Sequence, residues 1–448
     1  MTFDKLATFV LDDPHVPESA VEMAATLLID TLAVAAGAAD MEAGRIARDH
    51  AARFMGAMDE QDQATLLFDG RKSSIIGAGF AAATQIDNLD AHDGYNPTKG
   101  HIGCAVVPAL CAFAETMPDL SGREALLALA MSYEVAARAA ITLHATVSDY
   151  HTSGAWNGLG VAALGCRLRK TDATVLRHAL GIAEYHGPRS QMMREIANPS
   201  MLHDGSGMGT LVGIMAVLQA EDGFAGAPAI TAEAEDAAPY WADLGENWTI
   251  EQNYIKPYPI CRWAHAAIDA LGLLLTEHRV GVDDIERVEV HTFAEAAALF
   301  PGMPTTSSQA QYSLAFALAT RLVHGEIGPA HVQNDGLRDG RVADALSLFS
   351  IHEEPRHSRR FPQGRWSDVT IHLKGGQQLS SGDVHAKGGP EAPMSAEEFE
   401  AKMQTMTRDL DPDRRSRLLG MCERLVEPDA LFSECLNLLW DPVAGRGS

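Results

Sequence analysis

Residues 87–103, DNLDAHDGYNPTKGHIG, crowd Asp87, Asp90, His92, Asp93, Tyr95, Lys99 and His101 into one short segment. Three glycines and a proline exclude a helix or strand there, so the segment is a loop. It runs into the apolar CAVVPALCAF, which anchors one end on a buried helix. Acid–base side chains on a loop tied to a rigid scaffold are a usual place for catalysis. A solvated turn is the competing reading, but histidines and a lysine suit proton transfer and anion binding.

Three further segments carry related chemistry. In 148–160, SDYHTSGAWNGLG, His151 lies between a helix ending near Ala145 and a glycine-rich helix start. Free N–H groups and a positive dipole end could meet a carboxylate at such a place. In 254–265, YIKPYPICRWAH, two prolines hold an extended stretch bearing Lys256, Tyr258 and Arg262, with a helix starting near His265. A lysine beside an arginine suits a carboxylate clamp, because the guanidinium fork binds bidentately. A linker with incidental charges is the alternative there. In 198–209, NPSMLHDGSGMG, His203 stands among glycines. Those glycines follow no strand and lack dinucleotide spacing, and no phosphate-binding loop occurs elsewhere. Asp90, His92 and Asp93 have no second cluster to complete a metal site, so neither metal nor cofactor is expected.

The bulk properties constrain what such a site can bind. The chain has 448 residues, enough for two domains, with 46% hydrophobic and 21% charged residues. Aromatics are only 6% while alanine abounds, which favours close-packed helices. The formal net charge of -25 makes nucleic acid and anionic membranes poor partners. An anionic substrate therefore needs a local cluster of cations. The six cysteines show no C-x-x-C spacing, so neither a metal site nor a disulfide framework is expected. MTFDKLATFVLDDPHVP has acids where a signal peptide needs basic residues, and no apolar run approaches about 18 residues. The expected location is the cytoplasm.

The elements that must position these segments are mostly helices. Residues 20–36 are apolar on almost every face and end before Gly37. Ser121 and Glu124 form a capping box for a helix reaching about residue 143. Further helices are expected over about 171–185 and 308–323, and after Ser395. Residues 285–293 and 368–373 alternate with period two, and Gly375-Gly376 turns the second strand into a hairpin. The expected fold is mainly α. A large helical domain comes from residues 1–262 and 396–448, and a smaller α+β lid from 263–395.

Taken in order along the chain, these segments resemble the MmgE/PrpD family. The motifs are DTLAVAAGA at 30–38, LDAHDGYNPTKGHIGCAVVPAL at 89–110, SYEVAAR at 132–138 and His151 before its glycine-rich turn. LHDGSG at 202–207, KPYPICRWAHAAIDA at 256–270, QYSLAFALA at 311–319 and KGGPEAPMS at 387–395 follow. The family includes 2-methylcitrate dehydratase, cis-aconitate decarboxylase and iminodisuccinate epimerase. The resemblance implies a homodimer with a cofactor-free site between the helical domain and the lid. Asp93, His101, His151, Lys256 and His265 match the family's acid–base and anion-binding positions, and Arg262 lies in the same proline-rich motif. Ser200 replaces the decarboxylase's lysine, Phe316 replaces its site tyrosine, and Lys99 departs from the dehydratase loop.

The implied chemistry is proton transfer at the carbon next to a carboxylate of a small polycarboxylate. Lys99 and His151 are the expected acid–base pair, with Asp93 and Tyr95 orienting them and His101 stabilising developing charge. Lys256, Arg262, His265 and His203 are the expected substrate-binding groups. Return of the proton on the opposite face makes an epimerase, of an amino-dicarboxylate such as iminodisuccinate. Loss of a β-hydroxyl instead makes a hydro-lyase of the 2-methylcitrate dehydratase kind. Decarboxylation of the cis-aconitate kind, or polycarboxylate binding without turnover, are the remaining readings.

Overall fold

Small side chains let the helices of the first half pack closely, and their apolar residues are buried on several faces at once. The computed structural model describes residues 3–12 and 14–443. Glu18–Gly37 is buried along nearly its whole length, and Gly122–Thr146 likewise. The second begins at the expected capping box, with the Ser121 hydroxyl and the Glu124 carboxylate satisfying free N–H groups at the helix start. Asn157–Leu168 packs between Gly122–Thr146 and Ser206–Glu221, and the latter also crosses Ile75–Asp87 and Ala173–His186. By length and composition, Glu18–Gly37 and Gly122–Thr146 could cross a membrane, contrary to the reading from uninterrupted apolar runs. Of their apolar windows, 78% and 89% are buried inside the protein, which accounts for the composition.

The C-terminal helices Ala396–Met406 and Pro412–Arg424 return to pack on Glu18–Gly37. Lys402 makes a buried ion pair with Asp30 there and also donates to the Ala91 carbonyl at 2.9 Å. Burial pushes Asp30 up and Lys402 down, and their mutual attraction offsets part of each shift. Removing one partner strands a buried charge, so Lys402→Ala should cost about 3 kcal/mol of stability. Urea unfolding of the variant measures this; an unchanged midpoint would show that the pair contributes nothing.

The strands gather in the second half. β1 (Gln63–Thr65) and β2 (Lys72–Ser74) form a short antiparallel pair in the otherwise helical half, which the sequence reading missed. Three-residue strands are too short to show a period. β3 (Ile285–Thr292), β4 (Phe349–Glu353), β5 (Trp366–Leu373), β6 (Gln378–Ser380) and β7 (Val384–His385) make the main sheet. Its order is β4-β3-β5-β6, with β3–β4 parallel, the other pairs antiparallel, and β7 joined to the start of β5. A register shift between Ile285 and Arg287 re-phases β3, after which Val288, Val290 and Thr292 alternate inward. The helix His265–His278 covers β5. The result is a mainly helical protein with a smaller α+β part.

One expected helix is two. The 308–323 stretch breaks into Ser307–Gln311 and Leu314–His324. Ser313 caps the second piece by accepting from the Phe316 N–H, while the Gln311 side chain donates to the Asn88 carbonyl at 2.7 Å. The break turns Tyr312 toward the other half of the molecule.

Candidate active site

The polar segments converge on one small buried cavity. Its walls include Asp90, Lys99, His101, Tyr150 and Asp204 from the helical part and Tyr254, Lys256 and Arg262 from the proline-rich stretch. Tyr312 and Arg365 close it from the α+β part. The cavity measures about 20 Å3, room for roughly one water, so its walls must move apart to admit a substrate.

Backbone geometry at the walls is unusual. Asp90 and Lys99 hold left-handed φ values of 56° and 53°, and His203, outside the lining, one of 47°. Such values are rare for residues with a Cβ and cluster where function over-determines the backbone. For Lys99 the turn aims the ammonium over the Tyr150 ring, 4.1 Å from its centre, while the Tyr150 hydroxyl donates to the Lys99 carbonyl. Burial, and then the nearby Arg365 charge, lower the Lys99 pKa, which makes its amine a better base at neutral pH.

Lys256 is fully buried and pairs with Asp90, also donating to the Asp90 carbonyl at 3.0 Å. Arg262 is held differently. Its guanidinium donates to the carbonyls of Lys387 and Ala386 and lies 4.2 Å over the Tyr254 ring. The next residue, Gly388, has φ 106°, and a Cβ there would lie 1.9 Å from the Ile255 carbonyl oxygen. Only glycine lets the loop that holds Arg262 approach so closely. Arg365 donates to the Pro362 carbonyl and stacks on Phe361. Nε of both arginines has no partner, and among the described residues neither guanidinium is ion-paired to a carboxylate. Burial pushes Arg262 down to about 10 and lowers Arg365 too. Buried cations left unpaired in this way call for an anion from outside.

His101 is positioned as a neutral base. Its Nδ1 lies 2.6 Å from the Asp93 carbonyl oxygen, which can only accept, so Nδ1 carries the proton and Nε2 the lone pair. Burial, with the charge of Lys256 and the neighbouring His92, holds its pKa well below the usual histidine value.

Of the residues expected from sequence, Lys99, His101, Lys256 and Arg262 line the cavity; Asp93, Tyr95, His151, His203 and His265 do not. His151 pairs with Gln191 in an extended segment, where neighbouring side chains face opposite ways, so Tyr150 takes the wall instead. Of the expected Lys99–His151 pair, only Lys99 lines the cavity, together with His101. Tyr95 donates to the Gln252 side chain at 3.2 Å behind the loop. His203 lies 5.5 Å from the Tyr312 ring, and burial pushes its pKa down to about 3. His265 Nε2 donates to the Ile260 carbonyl at 2.8 Å, bracing the proline-rich turn. The sequence reading gave no site role to Asp90, Tyr150, Asp204, Tyr254, Tyr312 or Arg365; all but Arg365 lie within its motifs, and nothing in the sequence marks Arg365. Ser200 bonds Glu195 outside this cavity, and Phe316 is core, with Tyr312 four residues earlier supplying the aromatic wall.

Asp93 lies outside the cavity lining. It is buried with Tyr133 and Thr31 around Gly103, and neither of its carboxyl oxygens has a well-aligned donor. Burial, then repulsion from Asp30, pushes it up to about 7. The folded protein thus keeps a proton that the unfolded chain loses near pH 4, and stability falls as pH rises between those values. Asp93→Asn abolishes this penalty. Relative to the parent, the variant should gain on the order of 2 kcal/mol between pH 5 and pH 8. Paired thermal melts measure the gain, and a pH-independent difference would refute it.

Asp87, His92 and Cys104 also lie close together behind the cavity. Cys104 donates to the Ser206 hydroxyl at 3.1 Å, and Asp87 accepts from the Ser206 N–H at 3.0 Å. These contacts give both groups protein partners.

The family model described as MmgE/PrpD N-terminal domain matches residues 4–241, and that described as MmgE/PrpD C-terminal domain matches residues 258–425. No curated protein matches the chain. The gap between the two matched regions, residues 242–257, ends inside the proline-rich stretch, so Lys256 lies between the matched regions and Arg262 within the second.

Proposed function

This chain belongs to the MmgE/PrpD family of lyases and isomerases, and from that premise we propose that it epimerises an amino-dicarboxylate such as iminodisuccinate. The observation that carries the substrate class is the pair Arg262 and Arg365, both buried in the cavity wall without a carboxylate of their own. Four cations, Lys99, Lys256, Arg262 and Arg365, face two carboxylates, Asp90 and Asp204, in a protein of net charge -25. That local excess suits a small polyanion.

In the proposed reaction the two arginines hold substrate carboxylates and the halves close around them. One of Lys99 and His101 removes the α-proton. The electron pair moves onto the adjacent carboxylate, where Arg262 and Lys256 stabilise it. The other group returns a proton to the opposite face, and the two exchange protonation states. Closure excludes water during the carbanion's lifetime.

A hydro-lyase is the second reading. Burial raises the Asp204 pKa, so this carboxyl can hold a proton to give to a leaving hydroxyl. Proton NMR in D2O with a chelator present separates the two. Deuterium entering the α-position of iminodisuccinate, with one stereoisomer converting to another, is the expected result. An alkene signal from citrate or 2-methylcitrate, with iminodisuccinate untouched, would replace epimerisation by dehydration.

A further inference from the structure

Two hydrogen-bond acceptors face each other in the cavity, and among the described residues no protein donor bridges them. His101 presents its Nε2 lone pair, since Nδ1–H is committed to the Asp93 carbonyl at 2.6 Å. Asp204 Oδ2 lies 3.7 Å from that nitrogen, too far for a direct hydrogen bond. Both groups are held in place. The Asp204 Oδ1 accepts from the Ser153 hydroxyl at 2.6 Å and from the Ser153 N–H at 3.2 Å. The same hydroxyl accepts from the His101 N–H at 2.9 Å, so one serine fixes both residues. The Asp204 carbonyl also receives the Gly154 N–H at 2.9 Å.

The two cavity carboxylates are not alike. Asp90 is ion-paired with Lys256, whereas the only basic group within ion-pair distance of Asp204 among the described residues is the neutral His101. In the reaction proposed above the arginines hold anionic groups of the ligand, which leaves Asp204 for a group of the opposite charge.

We propose that Asp204, beside His101, recognises the nitrogen of the substrate, making it the residue that selects amino-polycarboxylates over hydroxy and ether analogues. The inference rests on the epimerase reading above. A secondary ammonium donates one N–H to Oδ2 and carries positive charge toward it. The α-carbon is bonded to that nitrogen, so its C–H comes to the neighbouring His101 Nε2, which is the position a base needs. An ether oxygen in place of the N–H is only an acceptor and would face the carboxylate oxygen with like charge. A hydroxyl donates but brings no charge, so its hydrogen bond is weaker. The burial that raises the Asp204 pKa is countered by the arriving ammonium, which keeps the carboxylate ionised.

The test compares iminodisuccinate with oxydisuccinate, its ether analogue, by calorimetric titration of the parent and Asp204→Asn. Asparagine keeps an oxygen to accept from Ser153 but loses the charge. The parent should prefer the amine roughly 10- to 100-fold, the range of a charge-assisted hydrogen bond, and the variant should show little preference. The preference is a ratio within each protein, so a partly inactive preparation does not alter it. A parent without preference, or a variant that keeps it, overturns the assignment of Asp204 while leaving α-proton exchange intact. A parent that neither binds nor exchanges iminodisuccinate instead overturns the epimerase reading, and the assignment with it.

Discussion

Replacing Arg365 with alanine is expected to lower kcat/KM roughly 100- to 1,000-fold, the usual cost of deleting one partner of a buried charge contact. Arg365 is 1% exposed, and the Pro362 carbonyl takes only part of its guanidinium. In the absence of substrate, its positive charge is desolvated without a counter-ion. In the proposed reaction a substrate carboxylate docks there, relieves this cost and draws the α+β part onto the helical part. Loss of the arginine should therefore raise KM and slow closure as well. Arg365→Lys keeps the charge but not the planar fork, and should recover only a fraction of the activity. Steady-state kinetics with a thermal melt on each variant decide the matter. Wild-type KM in a folded alanine variant would show that Arg365 does not meet substrate.

The second large effect separates Lys99 from His101. If they protonate opposite faces, Lys99→Met and His101→Gln should each reduce epimerisation roughly 100- to 10,000-fold, the range for a positioned acid–base group. Each variant should still exchange the α-proton of one stereoisomer with D2O, and the two should retain opposite isomers. Exchange followed by NMR on the separate isomers reads this directly. Should both variants spare the same isomer, the two groups would share a face. Should His101→Gln keep full turnover, another group would be the base. His151→Ala belongs beside them as a contrast. Its side chain lies off the cavity, 2.9 Å from the Asp149 carbonyl by Nδ1, so it should alter turnover less than either.

The fold was readable wherever local chemistry and periodicity agreed. Ser121 with Glu124, Ser395 with Glu398, and the alternation in 285–293 each state an element in a few residues, because caps and pleats are local devices. The misreadings came where distant parts intervene. The helix breaks at Tyr312 where the Gln311 side chain is drawn to the Asn88 carbonyl of a distant segment, and Ser313 then caps the second piece.

Sequence by itself determined which stretches line the cavity. The DAHDGYNPTKGHIG loop and the KPYPICR stretch supply four cavity residues, Lys99, His101, Lys256 and Arg262. They could be found because titratable side chains, glycine and proline are dense there. Only the tertiary structure decided which neighbours face the cavity. A shift of one residue in extended chain swaps His151 for Tyr150, and a carbonyl contact fixes the proton on His101. Asp204 and Arg365 gain their meaning from pairing and burial across the two halves. Charge pairing depends on distances between segments far apart in the chain, and no spacing along it encodes them.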